Sequence, residues 1–208
     1  MNYLLDFLFT NLEEKTMYLK QSDGILEVIT GPMFSGKTEE LIKRIKILEI
    51  ADIKTLVLKP KFDTRFSETE IVSRTGAKVI AKNIKKSSDI MKFWDPSYKA
   101  VAIDEINFLD EGILDVIDEL VLKGVRVLCS GLDMDFLRRP FGVTPAILAI
   151  ADHITKLKAV CMKCKSSAGF SFRKTNEQSL NSLGDDTYEA RCRVCHIKGE
   201  LKKKEDKK

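Results

Sequence analysis

Apolar positions fall into short runs rich in β-branched residues, "ILEVIT", "KTLVLK", "KAVAID", "VRVLCSGL" and "HITKLKAV", separated by segments whose apolar residues recur at helical spacing. Continuous apolar strands alternating with amphipathic helices predict βαβ units around a mostly parallel sheet, and hence an α/β fold. The clearest helix is "EGILDVIDELVLKG". There Ile113, Leu114, Ile117, Leu120 and Val121 form one stripe, Asp115, Asp118 and Glu119 face away, and Gly124 ends it. The alternation begins at Ile25, so residues 1–24 are expected to be an N-terminal extension and 25–158 the α/β domain. After Val160 cysteines and small polar residues replace the periodic pattern. A second, smaller unit is expected over 159–196, followed by a basic, disordered tail over 197–208 that activity does not need.

Composition narrows the picture. The 208 residues, 44% hydrophobic, suffice for one packed domain and a small appendage. Thirty-five Lys and Arg stand against 31 Asp and Glu, a net charge of +4 that gives no broad nucleic-acid-binding surface, although six lysines crowd the last eleven residues. No apolar run has the length of a membrane span, and "MNYLLDFLF" lacks the basic start and cleavage site of a signal peptide. A cytoplasmic location is the expectation. In a reducing compartment the five cysteines need an explanation other than disulfides.

Two constellations carry chemistry. The stretch "GPMFSGKT" fits G-x-x-x-x-G-K-[ST] through Gly31, Gly36, Lys37 and Thr38, between a strand and a helix. Such a loop turns backbone N–H groups inward around phosphates, brings a lysine to the β/γ-phosphates and offers a hydroxyl to Mg²⁺. The bland reading is a glycine turn before an ordinary helix. Asp104, at the C-terminal end of the run "KAVAID", supplies a metal-side acid, and Glu105 follows it; alternatively the pair caps a helix. The second constellation pairs Cys161-x-x-Cys164 with Cys192-x-x-Cys195, four thiolates able to close a structural Zn²⁺ site around a 27-residue loop. Redox or free cysteines are the alternative. His196 is a possible substitute ligand outside the knuckle spacing, and Cys129 reads as a buried small hydrophobe.

"GPMFSGKT", "DTRFS", "IDEINFL", "GLDMDFLRRPFG", "KLKAVCMKC" and "YEARCRVC" stand in the order and approximate spacing of the zinc-containing, tetrameric thymidine kinases, and the chain resembles that family from about Gly24 to Cys195. The resemblance implies a RecA-like phosphate-loop domain with a small zinc domain whose lasso loop closes over thymidine. It implies that Glu105 is the general base, and that Gly31, Pro32, Met33, Phe34, Ser35, Gly36, Lys37 and Thr38 cradle ATP. Asp104 would hold hydrated Mg²⁺, Asp63 and Arg65 would border the phosphates, and Asn107 would join this ATP/Mg²⁺ site in place of the family's usual Gln, one methylene shorter, so that its hydrogen bond would pass through water. Met33, Phe108, Leu132, Phe136 and Phe141 would enclose the base, and Ser171 would face its methyl group. Tyr188 and the backbone around Ser179, Leu180, Asn181, Ser182 and Leu183 would recognise its polar edge. Arg138 is either a cation for the transferred charge or a surface arginine before a proline turn. ATP and thymidine as substrates, acceptance of deoxyuridine, feedback by dTTP and a homotetramer follow from the same resemblance, with no membrane or nucleic-acid partner. Two rivals are a GTP-binding switch, which lacks any N-K-x-D motif here, and a RecA-like DNA-associated ATPase with a zinc module, which the low net charge disfavours.

Overall fold

The computed structural model describes residues 24–61, 69–175 and 187–205. In chain order the elements are β1 (Leu26–Thr30), α1 (Lys37–Ile50), β2 (Thr55–Pro60), β3 (Glu70–Val72), β4 (Lys78–Ile80), β5 (Lys82–Ile84) and the one-turn α2 (Ile90–Phe93). They continue with β6 (Ala100–Ile103), α3 (Ile113–Leu122), β7 (Arg126–Gly131), α4 (Thr144–Ile150) and β8 (His153–Lys156). The chain ends with β9 (Ala159–Val160), β10 (Ser167–Ala168), β11 (Phe170–Arg173), β12 (Tyr188–Arg191) and α5 (Arg193–Glu205).

Six strands form one sheet in the order β5-β2-β6-β7-β1-β8, every pair parallel. The central strands are apolar without alternation because both faces are covered. On one face Leu41, Ile42, Ile45 and Leu48 of α1 pack on Ile29, Val57, Ala102 and Leu128. On the other, Ile113, Val116, Ile117 and Leu120 of α3, with Ile147 of α4, pack on Val28, Leu58, Val101, Ile103 and Val127. The α3 stripe thus runs through Val116, while Leu114 and Val121 are only partly buried at its edge. Gly124 follows the helix end at φ 77°, a conformation a side chain resists.

"HITKLKAV" divides into two strands. Its first half extends the main sheet, and the Leu157 N–H still donates to Thr30 (2.7 Å), but β9 pairs antiparallel with β10. β3 and β4 form a hairpin turned by Gly76, and β11 pairs antiparallel with β12. The expected disorder of the basic tail is corrected: residues through Glu205 continue as α5. Lysine, glutamate and leucine favour a helix, and lysines 202–204 sit where its negative end welcomes cations. No apolar stripe announced the helix because Leu201 is exposed and His196 is its buried anchor. Among the described residues no helix is long and apolar enough to cross a membrane.

Candidate active site

The C-terminal ends of β1, β2, β6 and β7 converge on a cavity of about 580 Å³. β1 is tied at its tip by the Thr30 hydroxyl, which donates to the Gly131 carbonyl (2.9 Å). The chain then turns at Gly31 (φ 140°) and Gly36 (φ 83°). A Cβ at Gly31 would fall 2.5 Å from the Leu157 carbonyl oxygen, so conformation and space both demand glycine there. Gly36 precedes α1 without a side-chain cap, leaving that helix's first N–H groups available to an anion. Lys37 spans the loop, its Nζ donating to the Pro32 carbonyl (3.0 Å).

Asp104 lies buried just past β6, a committed carboxylate. It accepts from the Ser130 hydroxyl, from the Glu105 N–H (3.0 Å) and from the Thr38 hydroxyl (3.2 Å). An all-oxygen set of this kind, hydroxyl and carboxylate at the mouth of a phosphate loop, suits a hard ion such as Mg²⁺. Glu105 adopts a left-handed conformation (φ 49°), a placement rare for a residue with a side chain, and it lines the cavity.

The opposite wall is apolar. Phe108 and Phe141 meet edge to face at 5.8 Å, and Leu132, Met134 and Phe136 continue the surface. The Met33 N–H donates to the Ser171 hydroxyl oxygen (2.9 Å), joining the phosphate loop to β11. Arg173, wholly buried, stacks over Phe136 at 3.9 Å and donates through Nε to the Tyr188 hydroxyl (2.9 Å).

Of the residues named from sequence, Met33 to Thr38, Asp104, Glu105, Phe108, Leu132, Phe136, Phe141, Ser171 and Tyr188 line this cavity. Gly31 and Pro32 shape the loop from behind. Asp63, Arg65 and Ser179 to Leu183 lie outside the described residues. Asn107 does not line the cavity. Its Oδ1 accepts from the Leu132 N–H (2.9 Å), and Gly131 and Gly142 pack so tightly on it that a Cβ at Gly142 would fall 2.1 Å from its carbonyl oxygen. Arg138 also stays off the lining. Its backbone is left-handed (φ 66°), and its Nε is buried without a hydrogen-bond partner among the described residues.

Among the cavity features not singled out from sequence, three gather at the β3–β4 hairpin. Lys59, next to last in β2, lies buried in the cavity and donates to the Glu70 carbonyl (2.9 Å), anchoring the β3–β4 hairpin. Arg74, on that hairpin, places its guanidinium 4.1 Å from the Phe34 ring. The Thr75 N–H reaches Glu39 of α1 (3.3 Å). A charge closing the apolar run "TLVLK" was the available signal for Lys59; the short hairpin strands gave none for Arg74.

Cys161, Cys164, Cys192 and Cys195 bring their four sulfurs within 4.8 Å of one another, with Cys164 and Cys192 at 3.6 Å. Tetrahedral zinc with Zn–S bonds of ~2.3 Å needs sulfurs roughly 3.8 Å apart, so the thiolates fit that ion. The Cys195 N–H directed at Cys192 Sγ (3.4 Å) holds that thiol below its ordinary pKa, favouring the ligating form. His196 does not join them: Nε2 lies 3.0 Å from the Phe136 carbonyl oxygen. Cys129 is enclosed in the sheet, and burial raises its thiol to about 12.

Comparison with known proteins bears on the same span. A family model described as thymidine kinase matches residues 24–196. The thymidine kinase of Mycoplasma mobile is 58% identical over 191 residues, covering 90% of this chain and 94% of its own length. That of Mesomycoplasma hyopneumoniae is 54% identical over 184 residues, covering 86% and 99%, and that of Metamycoplasma arthritidis 51% over 193 residues, covering 92% and 100%. The DNA-associated ATPase reading is not favoured by these matches. With the match spanning both the phosphate loop and the cysteine cluster, the chain belongs to the thymidine kinase family.

Proposed function

We propose that the chain transfers the γ-phosphoryl group of ATP to the 5′-hydroxyl of thymidine, and accepts deoxyuridine as well. The observation that carries this reading is the two-sided cavity, with the phosphate loop and Glu105 on one side and the apolar Phe108, Leu132, Phe136 and Phe141 wall on the other. A flat base bearing a methyl group suits that wall, and its 5′-carbon then points toward the loop. The nucleoside oxygen attacks Pγ as the bond from Pγ to the β-bridging oxygen breaks, ADP leaves, and Glu105 takes the hydroxyl proton. The loose transition state makes charge placement the main task. Lys37 and the α1 N-terminus meet the phosphate oxygens, and Thr38 and Asp104 would hold Mg²⁺, which neutralises phosphate charge when bound.

Zinc bound by the four cysteines would be structural, tying β9 and β10 to β12 and α5 at one point. Asp63 and Arg65 are assigned to the phosphates, and Ser179 to Leu183 with Tyr188 to the base edge, on the family's pattern. The same pattern supports a homotetramer, inhibition by dTTP and a cytoplasmic location. The test is a nucleoside panel with ATP and purified protein. Thymidine is expected to be the best acceptor; preference for deoxycytidine or a purine nucleoside would overturn the assignment.

A further inference from the structure

α5 has no part in the mechanism just given, yet it packs behind the wall on which that mechanism depends. β11 and β12 form a two-faced ribbon. In register, Ser171 pairs with Ala190 and Arg173 with Tyr188 on one side, while Phe170 pairs with Arg191 and Phe172 with Glu189 on the other. The first side carries the cavity residues Ser171 and Tyr188. The second is covered by α5. The His196 ring meets Phe170 and Phe172 edge-on at 5.9 and 5.3 Å, and Lys203 Nζ sits 4.5 Å from the Phe172 ring. At Gly199 the helix comes so close that a Cβ would fall 2.7 Å from that ring and 1.8 Å from an Arg191 nitrogen.

Polar links from the two ends of α5 converge on one pair of residues. Near its start, His196 lies 3.0 Å from the Phe136 carbonyl oxygen; that oxygen can only accept, so Nε2 carries the proton and donates. Near its end, Lys203 Nζ donates to the carbonyls of Arg173 and of Thr175, the latter at 3.0 Å. Phe136 and Arg173 are themselves stacked, and Arg173 holds the Tyr188 hydroxyl. Helix, Phe136, Arg173 and Tyr188 are thus one connected chain of contacts.

We propose that α5 is a positioning element for the nucleoside, with His196 and Lys203 fixing the Phe136, Arg173 and Tyr188 wall from behind so that base affinity depends on the C-terminal helix. This rests on the nucleoside-binding reading of that wall. It also reverses the expectation that residues beyond Cys195 are dispensable.

The experiment measures kcat, the KM for thymidine, the KM for ATP and bound zinc in the full-length protein and in His196→Leu, His196→Gln, Lys203→Met and Lys202→Met. Loss of either link is expected to raise the thymidine KM about tenfold, with the ATP KM, kcat and zinc content little changed. Gln retains an N–H donor and should recover most of the His196 effect. The exposed Lys202 should be silent. Lys203→Met keeps the stem and reports even if the His196 variants fold poorly. An unmoved thymidine KM in both His196→Leu and Lys203→Met overturns the role of α5, as does a parallel rise in both substrates' KM, which marks general loosening. A parent protein that phosphorylates no nucleoside overturns the functional reading, and this one with it.

Discussion

Asp104 and Glu105 are adjacent carboxylates in different settings. Asp104 is held by Ser130, Thr38 and the Glu105 N–H, whereas Glu105 is turned into the cavity by its left-handed backbone. The turn, rather than strand alternation, separates the tasks proposed for them, because β6 already ends at Ile103. Glu105→Gln preserves size but cannot take a proton. Its single-turnover rate is expected to fall about 10²- to 10⁴-fold while equilibrium binding of both substrates stays within a few-fold. Near-normal turnover would remove Glu105 from the base role. Lys37→Ala should instead weaken ATP binding and turnover together, because in the proposed mechanism the lysine meets phosphate in ground and transition states alike. The phosphate loop was legible because its glycines answer to a backbone demand that spacing reveals. Asn107 stays off the cavity lining, its Oδ1 accepting from Leu132, a residue 25 positions away, and no local pattern records that contact.

Elements with a single apolar stripe were readable at close to their true limits, and α3 shows why. Burial against a sheet selects one face, and the sequence spells that face out through Ile113, Ile117 and Leu120. Ile117→Ala should lower unfolding stability by roughly 2–5 kcal/mol in denaturant titrations. A loss below ~1 kcal/mol would mean that the site collapses around the smaller side chain. Elements held by polar contacts were not readable. Asp110, just before α3, accepts from the Ser87 hydroxyl (2.5 Å) and N–H (2.8 Å), and the hydroxyl bond draws its carboxyl below the ordinary 3.8. A folded pKa below the unfolded one stabilises above the unfolded value, and that contribution disappears as pH falls through the folded value. The stability gap between the parent protein and Asp110→Asn should therefore be widest at neutral pH and shrink below 3.8. A gap independent of pH would show that the charge does not matter there.

At the scale of the whole molecule, composition and alternation announced an α/β sheet, and cysteine spacing announced a metal-sized cluster. Neither could say that α5 closes over the ribbon or that the β3–β4 hairpin, through Arg74, reaches the phosphate loop, since both depend on contacts between distant segments. The cluster gives its own prediction: purified protein should carry about one zinc per chain. Stripping the metal with a chelator should raise the thymidine KM more than the ATP KM, because the cysteines flank β11 and β12 rather than Gly31 to Thr38. Active protein without zinc, by elemental analysis, would refute the assignment.

Between β8, which pairs with β1 beside the phosphate loop, and β9, which enters the cysteine unit, stand only Leu157 and Lys158. Leu157 is fixed twice, by its N–H on Thr30 and by its carbonyl pressed against Gly31. These two residues therefore act as a ruler that sets how far the cysteine unit stands from the loop. One added residue would displace everything after it by roughly 3.3 Å in extended chain. The turn at Gly76, where an added Cβ would meet nothing within 4 Å, imposes no such measure. Across natural relatives, differences in chain length should accumulate at the hairpin tip and be absent from the spacer at 157–158.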